Sequence, residues 1–312
     1  MTVLKQGQSA DIGLLLEGTY PYVSGGVSSW VNQIIKGFPE YTFALCFIGS
    51  QPSDYGDMRY ALPDNVVHLE VHYLHEPQSK PPVIKRKGNA QVFKEIRCLH
   101  DQYRHADSPK TEMASLLASI MKHRNEGRYA EADFLYSRES WDYITEQYRE
   151  RCTDPSFVDY FWTVRIMHSP LWKLMALTES FIPVKVFHTI STGYAGFLGA
   201  LMKQRTGKPL ILSEHGIYTK ERKIDLFQAE WIRDNRGTLA KDSSEVAYFR
   251  HLWIRFFEAL GRDCYHHADR IIALYETNRL RQIQDGAPAE RTENIPNGIN
   301  FPHLAKVRAQ RS

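Results

Sequence analysis

The 312-residue sequence is poor in cysteine: Cys46, Cys98, Cys152 and Cys264 stand far apart, and no Cys-x-x-Cys pair occurs. That excludes a dense secreted-type disulfide framework and reads as four free thiols in a reducing compartment. Long apolar runs are also missing. The N-terminus offers only residues 12–16 before Glu17, far short of a signal-peptide core or a membrane span, so cytoplasmic residence is the expectation. Charge of one sign is scarce as well. With 39 basic and 36 acidic residues the formal charge is +3, too small and too dispersed for a nucleic-acid partner, which needs a concentrated basic face.

Several chemical signatures are absent. No Gly-x-Gly-x-x-Gly follows the first apolar run, which disfavours a nicotinamide dehydrogenase. No Gly-x-Ser-x-Gly elbow and no Gly-Lys-Ser/Thr phosphate loop occur, so hydrolase and kinase readings fall away. His266-His267 are adjacent rather than at a helical i, i+4 spacing, and there is no His-Glu-x-x-His; neither a metal nor another cofactor is expected.

What is present is an α/β rhythm in a chain whose 43% apolar content can bury a full core. The stretch 11–16, apolar from Ile12 onward, is the mark of a parallel strand buried on both faces. Val27, Trp30, Val31, Ile34, Ile35 and Phe38 then repeat at helical spacing. Strand-like runs follow at 41–48 and 66–71. From about residue 77 to 180 the pattern turns helical after the Pro81-Pro82 break, notably at 112–124 and 140–149, and reads as an insertion. The α/β rhythm resumes with a strand at 184–188, a helix at 194–205, strands at 210–213, 270–274 and 292–295, and a long helix at 243–266. The expected fold is therefore a Rossmann-like, mostly parallel open sheet with a helical insertion, whose ligands bind at the C-terminal strand ends.

Five polar constellations fall at such ends. Gly25 and Gly26 open the first helix, where backbone N–H groups and the helix dipole favour an anion, although two glycines also serve a tight turn. His188, Ser191, Thr192 and Tyr194 follow a buried strand; a strand-end histidine is either a structural hydrogen-bonder or, beside such hydroxyls, a sugar contact. Glu214, His215 and Tyr218 crowd what reads as one loop with Lys220 and Arg222, which are equally readable as solvated charges. Tyr275 precedes Thr277 and Asn278, either of which could cap a helix. Ile295-Pro296-Asn297-Gly298-Ile299 reads as a turn or hinge.

In their order and spacing, Glu17-Gly-Thr-Tyr-Pro-Tyr-Val-Ser-Gly-Gly-Val-Ser-Ser-Trp30, His188-Thr-Ile-Ser-Thr-Gly-Tyr194, Glu214-His-Gly-Ile-Tyr-Thr-Lys-Glu-Arg222 and Ile295-Pro-Asn-Gly-Ile299 resemble the PelF group of retaining GT-B glycosyltransferases over nearly the whole chain. The resemblance implies the N-terminal half of a GT-B fold from bacterial exopolysaccharide synthesis. It implies transfer of a sugar from a nucleotide diphosphate sugar, UDP-linked by expectation, to a carbohydrate acceptor with retention and without a metal. By the same resemblance Gly25 and Gly26 approach the donor phosphates. His215, with Glu214, is catalytic, while His188, Ser191, Thr192, Tyr194, Tyr218 and Tyr275 line the acceptor side. Such a reaction needs no pair of carboxylates of the glycosidase kind.

The resemblance divides the chain into an acceptor domain at 1–296 and, from 297 to 312, a hinge that begins a donor domain. About a dozen residues cannot make that second domain, so the sequence reads as a fragment or truncated product, weakly active or inactive alone. The competing reading is a non-catalytic module whose insertion docks onto an inner-membrane polysaccharide synthase complex. A nucleotide-sugar epimerase of like architecture is disfavoured because the long strings match transferases.

Overall fold

The computed structural model describes residues 2–75, 86–104, 110–152, 155–228 and 243–298, with 301, 305 and 308. The Pro81-Pro82 break, Ile299 and most of the expected hinge at 297–312 lie outside the described residues. The run Ala10–Glu17 forms β2, buried along most of its length. It lies at the centre of an eight-stranded sheet of order β1-β4-β3-β2-β5-β6-β7-β8. On one side of β2 are β3 (Phe43–Gly49) and β4 (Val66–Tyr73); on the other, β5 (Val184–Thr189), β6 (Leu210–Glu214), β7 (Arg270–Ala273) and β8 (Thr292–Asn294). All of these pair in parallel. Among the described strands β1 (Thr2–Lys5) alone is antiparallel, on the outer edge of β4. Sequence periodicity misses β1 because it is four residues long and leaves Val3 and Leu4 exposed.

The chain leaves β2 toward β3 and later returns to β5 on its other flank. The order therefore reverses between β2 and β5, the topological switch point at which open α/β sheets bind ligands. Strand alternation sorts side chains onto two faces. Leu14, Leu16, Phe43, Leu45, Phe47 and Ile190 pack under α1 (Gly26–Gly37), which presents Val31 and Ile35. Leu15, Ala44, Cys46 and Ile48 face the other way, into a larger core built with α7 (Tyr194–Thr206) and α9 (Ser243–His267). Nine successive residues of α7, Tyr194 to Met202, are buried, as expected of a helix enclosed on all sides. Gly207 ends it at φ 69°, a left-handed cap that favours glycine.

Between β4 and β5 lie α2 (Ala90–Arg104), α3 (Lys110–Asn125), α4 (Glu131–Tyr136), α5 (Arg138–Arg151) and α6 (Phe157–Ser180), all helical as the composition indicates. Tyr103 of α2 donates to Asp263 of α9, and Arg262 donates to the Tyr103 carbonyl at 2.6 Å, which ties this insertion to the large core. Among the described residues the remaining α-helices are α8 (Tyr218–Gln228) and α10 (Glu276–Gln284). The loop expected over 213–222 thus becomes helical from Tyr218. Its polar residues lack the apolar stripe that marks α1, so periodicity does not reveal the helix.

Candidate functional site

Leu15 of β2 pairs with Thr189 of β5, and Thr189 with Leu212 of β6, so the C-terminal ends of three neighbouring strands are level. Glu17, Thr189 and Glu214 close these strands at the switch point. The candidate residues divide between the two faces of this edge.

On the α1 face stand Trp30, His188 and His215. The His215 ring meets Trp30 edge-on, with centroids 4.5 Å apart at 77°, and His188 meets the same indole at 5.9 Å and 86°. His188 Nε2 lies 2.9 Å from Ser213 Oγ. Burial pushes both imidazoles below their ordinary range, His188 to about 4 with His215 adding to the effect, so both are neutral at pH 7. His215 Nε2 is buried and has no hydrogen-bond partner. Leaving such an atom unpaired costs about 1–3 kcal/mol, which a ligand hydroxyl or amide would recover. Beside this group α1 begins at Gly26 with no side-chain cap and no acidic residue in its first turn. Its amino-terminal N–H groups therefore remain suited to an anion. Gly25 and Gly26 are exposed, and a Cβ at either would meet nothing within 4 Å. Internal packing does not require glycine at either position.

On the opposite face, Glu17 accepts from the Tyr218 hydroxyl at 2.7 Å through Oε1 and from the Ala195 amide at 3.1 Å through Oε2. Arg222 Nη2 donates to the Tyr218 oxygen at 3.0 Å and lies 4.0 Å from Glu17. The guanidinium also covers the rings of Tyr218 and Phe257, so Arg222 is a packed group and not the solvated charge its setting suggests. Lys220 is exposed. Glu17 and Arg222 join a cleft of about 640 Å³ with Tyr55, Tyr194, Tyr218 and Trp253 among its walls. Sequence reasoning passed over Glu17 as a site residue. The available signal was an acidic residue directly terminating a buried strand.

Glu214, expected to share catalysis with His215, is 1% exposed. Oε1 accepts from Thr192 Oγ1 at 3.2 Å and the Tyr218 amide at 3.0 Å; Oε2 accepts from Tyr265 at 2.7 Å and Gln282 at 3.0 Å. Burial raises its pKa while these donors oppose the rise. The carboxylate is occupied in fastening α8, α9 and α10 to the end of β6. Thr192 and Tyr194 are buried in the same region, and Ser191 Oγ is buried without a partner. Tyr275 is 65% exposed at the start of α10, apart from the buried groups. Tyr275 itself occupies the cap position of α10, so Thr277 lies inside the helix and does not cap it. Among the described residues no set of three His, Cys, Asp or Glu side chains is placed to hold a metal, and no helix is long and apolar enough to cross a membrane.

Residues 10–290 match the family described as a domain of unknown function (DUF3492), and the chain belongs to that family. No curated protein matches the sequence. Among solved structures, the chain is similar to a complex between a UDP-glucosyltransferase from Polygonum tinctorium, capable of glucosylating indoxyl, and 3,4-dichloroaniline. The identity is 10% and the TM-score 0.32, over 96% of this chain and 56% of that one. The chain thus spans little more than half the length of the structure it matches.

Proposed function

We propose, from the premise that the chain belongs to the DUF3492 family, that it provides the acceptor-side domain of a retaining glycosyltransferase that uses a nucleotide diphosphate sugar. The observation that carries this reading is the partnerless, neutral His215 Nε2 at the switch point, on the same face as the uncapped start of α1. The resemblance of the strings around Gly25, His188, His215 and Ile295 to the PelF group supplies the reaction class. In this reading the α1 terminus and the open Gly25-Gly26 backbone approach the donor diphosphate, and His215 holds a donor-sugar hydroxyl beside the reacting carbon. The bond from that carbon to the diphosphate oxygen breaks while the acceptor oxygen bonds to the carbon on the same face. The acceptor proton passes to the departing phosphate. Fixed dipoles, not a carboxylate nucleophile, stabilise the developing charge. Exopolysaccharide synthesis, a UDP-linked donor and recruitment to an inner-membrane synthase complex belong to the same proposal.

Incubation of this domain joined to a nucleotide-sugar-binding donor domain with UDP-glucose and UDP-N-acetylglucosamine, with nucleotide release and transfer to oligosaccharides followed by chromatography, tests it. His215→Ala is expected to lower turnover by about a hundredfold or more, with the fold retained by circular dichroism. Turnover within a factor of two of the parent would remove His215 from the site.

The alternative, a docking module, is favoured by one observation: Val158, Trp162 and Ile166 make an exposed apolar stripe along α6, at 61%, 54% and 51% exposure. Under that reading Trp162→Glu abolishes capture of the synthase complex and leaves the circular dichroism spectrum unchanged.

A further inference from the structure

The large cleft on the α7 and α9 side of the sheet edge joins Glu17, Tyr194, Tyr218 and Arg222 of three sequence motifs to residues that no motif marks, Ser50, Gln51, Tyr55, His75 and Trp253. It lies over the C-terminal ends of β2, β3 and β4, beneath α6 of the insertion, and holds about 640 Å³, within the range of small-ligand sites of about 300–1,000 Å³. We propose that this cleft is the acceptor pocket, that it takes an uncharged carbohydrate, and that Glu17 at its edge orients the attacking hydroxyl; the assignment rests on the transferase reading above.

The walls carry both surfaces that sugars use. Tyr55, Tyr194, Tyr218, Trp253 and Phe257 contribute aromatic rings, while Glu17, Ser50, Gln51, His75 and Arg222 contribute polar groups. An acyl chain would leave those polar groups buried and unpaired, a cost an oligosaccharide avoids. The formal charges offset each other, since Arg222 lies 4.0 Å from Glu17 and 3.7 Å from Asp225. Partial desolvation and the nearby Lys173 ammonium lower the pKa of His75, which stands exposed at the cleft rim. A phosphate or uronate would face the Glu17 carboxylate, and Arg222 beside it already donates to Tyr218.

Glu17 is placed to orient a hydroxyl. Each carboxylate oxygen accepts one internal hydrogen bond, from Tyr218 or from the Ala195 amide, and so keeps acceptor capacity for a ligand. Its side chain is 14% exposed, enough to reach the cleft. The close packing is built in by glycine: a Cβ at Gly193 would collide with the Tyr218 ring and the Glu17 carboxylate. A Cβ at Gly49 would come within 2.7 Å of Tyr55 and 2.9 Å of Tyr73. Glu17 acts here as a positioning group for the acceptor, and proton transfer to the leaving phosphate is unchanged.

Nitrogen-15 correlation spectra of the chain, titrated with maltotriose, chitotriose, trigalacturonate and UDP-glucose, test the assignment. At least one uncharged trisaccharide should shift the amides of Gly49, Gln51 and Ile166, and trigalacturonate should not. Glu17→Gln should weaken that binding about tenfold, the loss expected for a charge-assisted hydrogen bond. Ile166→Glu, at an exposed rim position, should weaken it without touching the Glu17 network. The proposal is overturned if neither neutral sugar shifts these amides, if both variants bind as the parent does, or if trigalacturonate binds more tightly. UDP-glucose should instead shift the Trp30 indole. A shift there without any trisaccharide response sinks the acceptor pocket and spares the transferase reading; the reverse spares a carbohydrate pocket and sinks the transferase.

Discussion

The two faces of the sheet edge carry similar residue types and treat them differently. On the α7 and α9 face, Glu17, Glu214, Tyr218, Tyr265 and Arg222 are knitted together, and Glu214 alone receives four donors. On the α1 face, His188 has Ser213 as a partner, but His215 Nε2 has none and Gly25-Gly26 stand in open space. Polar groups at a strand end are therefore not equivalent. One set is consumed in holding three helices at the edge, and the other keeps an unpaired imidazole nitrogen and an open glycine turn. Glu17 stands between these cases, because it is fastened on one side and open to a cleft on the other.

The sharpest way to break this contrast is Glu214→Ala. It would strand the donors of Thr192, Tyr218, Tyr265 and Gln282 and should lower unfolding free energy by about 3–5 kcal/mol, read from urea melts. A loss below about 1 kcal/mol would mean that the clamp does not hold the edge. Next comes Gly193→Ala, whose methyl group has no room beside Tyr218 and Glu17. An expected cost of about 1–3 kcal/mol should show as a lowered thermal midpoint.

The histidines give a pH test. His188 titrates near 4 when folded and near 6.5 when unfolded. The unfolded chain therefore binds the proton first. Stability from this group is complete above about pH 6.5 and is lost as pH falls from there toward 4, with a slope of up to about 1.4 kcal/mol per pH unit. His168, also near 4, acts in the same direction from the insertion. Urea melts across this window should show the loss, and His188→Gln should flatten it; an unchanged slope would mean that His188 is not held neutral. The smallest stability effect belongs to Gly25→Ala, within about 0.5 kcal/mol because nothing surrounds the new methyl group. If the α1 start receives a diphosphate, this variant should still weaken UDP binding by calorimetry. Equal affinity in parent and variant would argue against close approach there.

The sequence exposed most of this architecture. Apolar runs at 11–16, 184–188 and 210–213 became β2, β5 and β6, since a strand buried on both faces has little choice of composition. Helical spacing marked α1, and the helix expected at 194–205 became α7. The Rossmann-like class followed from that alternation, and so did the positions of His188, Glu214 and His215 at strand ends. β1 and α8 were hidden, the one too short and the other without an apolar stripe.

What the sequence determined by itself was which residues reach the edge, because period-two burial and helix starts are local properties of the chain. What each residue does there was decided by tertiary structure. Glu17 and Glu214 both end apolar runs and look alike in one dimension. Glu17 takes its hydrogen bonds from residues 178 and 201 positions away, and Glu214 takes two of its own from residues 51 and 68 positions away. No local pattern encodes such partners, since packing brings them together only after the strands and helices have assembled. One carboxylate is thereby enclosed and the other left facing a cleft.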